Sequence, residues 1–324
     1  MASDGLMDTA NWIPAATAGE RFLVTGANGC IGAWVVKLLH DAGTEVIAFD
    51  LRDDDHRHRL INRGAVPDVD WRFGDLTVPA DVMRAAADAT RIVHLAALQI
   101  PFCRADPSGG AAVNVTGTVN VFEAARALEI RQVAQASSIA VFGAADDYPE
   151  AILPEDAPRR PTTLYGVYKV ATEDLAGVYW ADHGVRSVGL RPHTVFGPGR
   201  DQGMTSLPSV AIERAVARQP FHVDFGGRLD FQFAPDVAAA FIHAAVAPID
   251  GAPTFNLSGT VTDVRAFLDV VAEVTGFTEI TSGDASLPVV EGAMADSWRA
   301  AGGPEPTDLT EAISTSAALF AAAR

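Results

Sequence analysis

Tyr165 and Lys169 stand four residues apart in Tyr165-Gly166-Val167-Tyr168-Lys169, where a segment of helical spacing opens. Residues at that separation project from one helix face. Upstream, the apolar run Gln132 to Ala136 leads into Ser137-Ser138. A phenol, an ammonium and a hydroxyl brought to one point suit proton transfer coupled to hydride transfer. A tyrosine alone titrates near 10 and is a poor base at neutral pH. An ammonium one turn away, with the positive charge of a nicotinamide, stabilises phenolate and lowers that value. On this reading Tyr165 exchanges a proton with the substrate oxygen, Ser138 holds that oxygen by a hydrogen bond, and Lys169 also grips the nicotinamide ribose. Taken alone, a Tyr and a Lys at this spacing are an ordinary helix pair. The order of the surrounding motifs gives the trio its weight.

Those motifs begin with Arg21 to Val24, a short buried strand by its composition, followed by Gly26, Gly29 and Gly32 and then the apolar helical pattern Ala33 to His40. Gly26 permits a tight turn, Gly29 lets the backbone approach a pyrophosphate, and Gly32 lets the helix pack on the strand. Phosphates would sit at the helix N-terminus, where free N–H groups and the dipole favour negative charge. A second strand, Glu45 to Phe49, ends in Asp50, about 20 residues after the glycines, as a ribose-binding acid should. Its carboxylate accepts from ribose hydroxyls and repels a 2′-phosphate, so NAD is expected over NADP. Arg52, just beyond, is placed to receive that phosphate and keeps the second cofactor open. The run Arg52 to Arg59 mixes both charge signs with histidines and reads as a solvated loop rather than a metal site.

The elements that must position these groups follow in order. Asp70 to Phe73 reads as a third strand, and Asp75 after it either contacts the adenine or caps the helix beginning near Pro79. Arg91 to Leu95 is the fourth, with Ala96 and Ala97 small enough for a cofactor to lie against. His94 at its end is read as structural in preference to catalytic. Gly110 to Leu128 has the helical period, with Asn114 outside the apolar set as a hydrogen-bonding partner. A long helix from Tyr165 to Asp182 and a sixth strand, Ser187 to Arg191, complete an α/β alternation that implies a Rossmann-type, doubly wound parallel sheet. Beyond it come a turn-forming loop, Val195 to Gly203, helices at 207–218, 236–247, 264–275 and 309–323, and short apolar pieces at 221–223, 231–233 and 254–257. The expected organisation is a flexible extension at 1–20, an NAD-binding domain at 21–192, and a smaller C-terminal substrate-binding lobe at 193–324, interleaved with the sheet.

Together these motifs resemble the extended short-chain dehydrogenase/reductases, in the epimerase/dehydratase branch. The likeness runs from Arg21 to the C-terminus through Thr25-Gly26-Ala27-Asn28-Gly29-Cys30-Ile31-Gly32, Asp75-Leu76, His94-Leu95-Ala96-Ala97 and Asn114-Val115-Thr116-Gly117-Thr118. It continues through Ser137-Ser138 before Val141-Phe142-Gly143, Tyr165 to Lys169, and Arg191-Pro192 before Val195-Phe196-Gly197-Pro198-Gly199. The resemblance implies that Ser138, Tyr165 and Lys169 form a catalytic triad. It also implies that Asn28, Ile31, Asp50, Asp75, Ala96 and the turn from Pro192 through His193 to Val195 line the cofactor, with their neighbours Cys30, Leu51, Leu76, Leu95 and Ala97. Three departures bear on the substrate. Relatives that dehydrate nucleotide sugars carry an acidic pair after the catalytic serine; here Ile139-Ala140 stands there, which argues against dehydration. Nucleotide-sugar epimerases usually place Arg before the Asp-Phe of a late strand to clamp a diphosphate. Here Leu229 occupies that place, and Arg228, one residue earlier, falls on the opposite strand face. They also tend to have Asn where this chain has Thr194.

A net charge of −17 argues against nucleic acid or an anionic membrane surface as partner. The two cysteines, Cys30 and Cys103, give neither a disulfide framework nor zinc spacing, and no metal is expected. No apolar run reaches spanning length and Met1 to Glu20 lacks the pattern of a signal peptide, so a cytoplasmic protein is expected. By the resemblance, helices at Val113–Leu128 and Ala171–Asp182 would form a homodimer's four-helix contact. The expected reaction is NAD-dependent hydride transfer at a secondary alcohol of a carbohydrate-like or small polyol substrate. Epimerisation results if the hydride returns to the other face of a rotated ketone, dehydrogenation if the ketone leaves. Substrate contacts are expected from Gln99, Phe102, Ser138, Thr194, Arg200, Ser206 and Arg228. Arg200 would meet an anionic group, unless a loop salt bridge engages it. The alternative is a non-catalytic dinucleotide sensor or scaffold, against which the intact triad speaks.

Overall fold

The computed structural model describes residues 13–324. Six strands of the main sheet are β1 (Arg21–Thr25), β2 (Glu45–Asp50), β3 (Asp70–Phe73), β4 (Arg91–His94), β5 (Gln132–Ala136) and β6 (Ser187–Arg191). Two more, β7 (Thr194–Phe196) and β8 (Arg228–Phe233), belong to a second sheet, from which β9 (Thr254–Asn256) returns to the edge of the first. The first sheet is parallel, in the order β9-β6-β5-β4-β1-β2-β3. The chain therefore winds outward in both directions from β1, and the crevice beyond the carboxyl ends of β1 and β4 is the topological switch point where ligands bind in such sheets.

Helices α1 (Cys30–Asp41), α2 (His56–Ile61), α3 (Pro79–Ala86), α4 (Gly117–Ala127), α5 (Leu164–His183), α6 (Leu207–Val216), α7 (Ala234–Val246), α8 (Val264–Thr275) and α9 (Leu309–Ala322) complete the frame, with shorter turns between. Successive strand residues face opposite layers, because the side-chain period is two. Phe22 and Val24 join Trp34 and Val35 of α1 and Ala238 to Ala245 of α7 in one core, while Leu23 joins Val82, Val121 and Phe122 in the other. α7 is apolar nearly all round and lies buried against α1, as such a helix must. So two pieces from beyond residue 192, α7 and β9, belong to the sheet layer. The lobe has its own core, where Phe231 stacks on Phe267 at 4.4 Å and Phe196 meets Phe267 edge-on at 5.1 Å. Its sheet pairs β8 parallel with β7 and antiparallel with β10 (Thr260–Asp263).

Three expectations change. The run read as a solvated loop forms α2, whose Arg57 and His58 point inward and are buried. The segment Gly110 to Leu128 is not one helix: a π-helical turn, Ala112–Thr116, precedes α4 and carries Asn114 inward. Residues 1–12 of the expected extension lie outside the described residues. From Ile13 to Glu20 the chain is docked rather than loose, because the buried carboxylate of Glu20 pairs with Arg91 and Arg131 at 2.9 and 2.7 Å.

Candidate active site

The glycine turn is tight for a physical reason. Gly26 has φ +70°, and a Cβ there would stand 2.7 Å from the backbone N of Ala96. A side chain at Gly32 would strike the carbonyl of Gly26. This cradle puts the N-terminus of α1 at the crevice, with Cys30 and Ile31 half-buried in its first turn. Burial pushes the Cys30 thiol up to about 11, so it stays protonated. At the end of β2, Asp50 accepts from the N–H of Asn28 at 2.8 Å and of Leu51 at 2.7 Å. Asn28 donates its amide to the Arg52 carbonyl at 2.7 Å, and its Oδ1 is buried with no partner. A glycine cradle, an acid at the tip of β2 and an unsatisfied amide oxygen facing the turn fit a dinucleotide.

Asp75 does not cap the helix at Pro79, whose N-cap is Val78; one carboxylate oxygen accepts from the backbone and hydroxyl of Thr77, both at 2.8 Å, in a local turn. Leu76 is buried at the close approach of Gly117. Leu95, Ala96 and Ala97 line the crevice, half-exposed. Asn114 accepts from Leu98 N at 2.7 Å and donates to Leu98 O at 2.9 Å, so it holds this wall in place. His94 bonds Thr25 and Thr118 at 2.7 and 3.0 Å, and burial lowers it to about 3: it is a neutral strut.

α5 delivers the two chemical groups of its first turns. Thr163 caps it by accepting from Gly166 N at 3.0 Å. Gly166 is packed so closely on the Ala140 carbonyl that a side chain there would collide. That approach brings Tyr165 to Ser138, whose hydroxyl also accepts from Ala140 N at 3.2 Å. Pro192 closes the same corner by accepting from Ile139 N at 2.9 Å. One turn on, Lys169 lies 5.6 Å from the centre of the Tyr165 ring and donates to the Ala136 carbonyl at 2.6 Å. Burial lowers the Lys169 ammonium to about 8. Burial also raises the Tyr165 phenol; its hydrogen bond with Ser138 and the charge of Arg200 pull it back. The sequence reading assigned the lowering to Lys169. The ammonium donates to Ala136, and the charge of Arg200 is a further influence that lowers the phenol.

A buried fork deeper in α5 fixes this arrangement. Glu173 accepts from Arg191 Nε and Nη2, both at 2.7 Å, and from Ser137 Oγ at 2.5 Å. Bidentate pairs of this kind add geometric specificity as well as energy.

The substrate side divides. Gln99 and Arg200 meet at Gly203, close to Tyr165. Phe102 stands half exposed on the short helix Ile100–Ala105, which packs on α5. Five other assigned residues, three of the substrate set and two of the cofactor set, are engaged within the protein. Thr194 is buried and bonded to the His193 ring at 3.0 Å. His193 turns its other ring nitrogen to the Val290 carbonyl at 2.9 Å. Ser206 donates to Gly203 O at 2.9 Å and staples its own loop. Arg228 is exposed and pairs with Glu291 at 3.3 Å. Val195 is buried beside β8.

The sequence places Arg57 and His58 in a solvated loop and Asp201 in a turn-forming one, and assigns none of them a role at the site. Arg57 donates to Asn28 O at 2.8 Å and Gly199 O at 3.0 Å, and pairs with Asp201 at 2.5 Å. His58 meets Ala27 O at 3.0 Å. Their signal was the spacing of Arg57 and Ile61 on one helical face.

Residues 22–258 match the model of the NAD dependent epimerase/dehydratase family. The chain belongs to that family. A UDP-glucose 4-epimerase of Mycolicibacterium smegmatis is 32% identical over 265 residues, 79% of this chain and 83% of that protein. An uncharacterized epimerase/dehydratase of Staphylococcus haemolyticus is 30% identical over 294 residues, 86% and 87% of the two chains. The crystal structure of the Thermus thermophilus UDP-glucose 4-epimerase in complex with NAD has a TM-score of 0.77 at 27% identity, covering 93% of this chain and 98% of that one. Family membership makes this chain an NAD-dependent enzyme of the extended short-chain type.

Proposed function

We propose that this enzyme oxidises a secondary alcohol of a small carbohydrate-like or polyol substrate, acting as a net dehydrogenase. The observation that carries this reading is the meeting of Tyr165 and Ser138, with Lys169 one turn away, at the mouth of the glycine-lined crevice. Bound NAD supplies the hydride acceptor. Ser138 holds the substrate oxygen and Tyr165 removes its proton as the carbinol C–H electrons leave. Lys169, fixed by Ala136, supports the nicotinamide ribose. Epimerisation with the same groups requires the ketone to rotate while a remote handle keeps it bound. The diphosphate-clamp position is Leu229, buried in the lobe core, and the exposed Arg228 pairs with Glu291, so neither of the two offers that handle. This favours release of the ketone.

The test is Tyr165→Phe. Turnover should fall about 100- to 10,000-fold while NADH still binds by fluorescence titration. Full activity in the variant overturns the role of the phenol. One NADH formed per ketone marks a dehydrogenase; substrate conversion without NADH accumulation marks an epimerase. The reading includes a cytoplasmic homodimer joined through α4 and α5.

A further inference from the structure

Four cations around the crevice have work within the protein. Lys169 donates to Ala136 O, Arg57 holds Asn28, Gly199 and Asp201, Arg191 forks onto Glu173, and Arg228 meets Glu291. Arg200 differs. It has no ion-pair partner among the described residues; its Nη2 donates to Thr205 Oγ1 at 3.1 Å, and its Nε is buried with no hydrogen-bond partner. The salt bridge in this loop belongs to its neighbour Asp201, which pairs with Arg57. A buried, charged donor left without an acceptor is unfavourable, and most such groups in proteins are satisfied.

The surroundings of that guanidinium are shaped. At Gly203, φ +93°, a side chain would collide with Gln99 Oε1 and stand 3.2 Å from Arg200 Nη2. The glycine therefore admits the amide and the guanidinium to one point. The charge of Arg200 lowers both Tyr165 and Cys30, so it stands within electrostatic reach of the proton-transferring hydroxyl and of the α1 N-terminus.

We infer that the substrate is a short hydroxy acid, its carboxylate received on the accessible part of the half-buried Arg200 guanidinium beside Gln99, a few bonds from the carbinol that Tyr165 deprotonates. This rests on the hydride-transfer reading above and adds the substrate class. The planar fork of an arginine matches a carboxylate in two parallel hydrogen bonds. A diphosphate-linked sugar would carry its charge far from the reacting carbon, toward Leu229 and the Arg228–Glu291 pair. In a chain of net charge −17 an acid needs such a local cation to enter.

The enzyme with NAD is assayed on compounds matched in skeleton, gluconate with glucitol and glucuronate with glucose, and on UDP-glucose. Each acid is also titrated onto the NADH complex and followed by nucleotide fluorescence. The acids should be preferred over their neutral partners. Arg200→Gln and Arg200→Lys should each lower the acid-to-neutral ratio of kcat/KM by about 10- to 100-fold, chiefly through KM, with NADH affinity retained. Acid binding kept in Tyr165→Phe but lost in Arg200→Gln supports the site even without turnover. Preference for a neutral compound or UDP-glucose sinks it while leaving hydride transfer standing. A ratio unmoved by both Arg200 variants, or acids that neither bind nor react, also overturns it.

Discussion

Between β1 and α4, the imidazole of His94 is held by two threonine hydroxyls and takes no part in the proposed proton transfer. Burial, with a smaller push from the Lys169 charge, brings its pKa from 6.5 to about 3. In the unfolded chain the same ring protonates near 6.5, so between about 3 and 6.5 the unfolded state binds the extra proton. The contribution of this residue to stability is therefore complete above 6.5 and falls as the pH is lowered through that window. Urea unfolding at about pH 7 and about pH 5 should show a smaller acid-induced loss in His94→Gln than in the wild type. Equal losses would rule the explanation out. At this scale the sequence was least informative about hydroxyls and amides. Thr194, Ser206 and Asn114 were read as site residues by position, yet each is engaged by a neighbour, His193, Gly203 and Leu98 respectively. Whether a short polar side chain faces a ligand or its own backbone depends on loop geometry that residue type does not encode.

α5 does two jobs on two faces. One presents Tyr165 and Lys169 to the crevice and Glu173 to Arg191. On the other, Leu164, Val167 and Val178 are exposed in one stripe, since separations of 3 and 11 residues repeat the helical period. An exposed apolar stripe on a helix is the kind of surface a partner covers. Sedimentation should therefore find a dimer, and Val178→Glu should shift it to monomer; a monomeric wild type at micromolar concentration would refute the contact. Elements such as α5 and β1 were legible because helix and strand periods are written locally in the apolar pattern. α2 was not, because six residues scarcely define a period and their charges suggested solvent. The π-helical turn before α4 was invisible for a related reason: one extra residue leaves the apolar spacing almost intact.

The whole molecule is a sheet layer, with a core on each face, and a lobe with its own core, meeting at one crevice. The long-range ties between them were beyond any reading of the chain, since Arg57 and Asp201 lie 144 residues apart. Trp34 of α1 donates to Pro198 O at 2.9 Å and Arg57 of α2 to Gly199 O at 3.0 Å, so the loop bearing Arg200 is bound to the sheet layer twice, once through each helix. Removing Arg57 should loosen both sides at once. Arg57→Ala is expected to weaken NADH binding and to raise the substrate KM together, each by about 10-fold or more. A change confined to one ligand would count against a shared strut.

That strut has a kinetic corollary. A guanidinium that touches the Asn28 carbonyl with one nitrogen and the Gly199 carbonyl with another makes the first visitor a preparation for the second. A dinucleotide settled against Asn28 should stiffen the loop bearing Arg200, so the proposed steps should run in compulsory sequence, nucleotide in first and out last, as product-inhibition patterns would show.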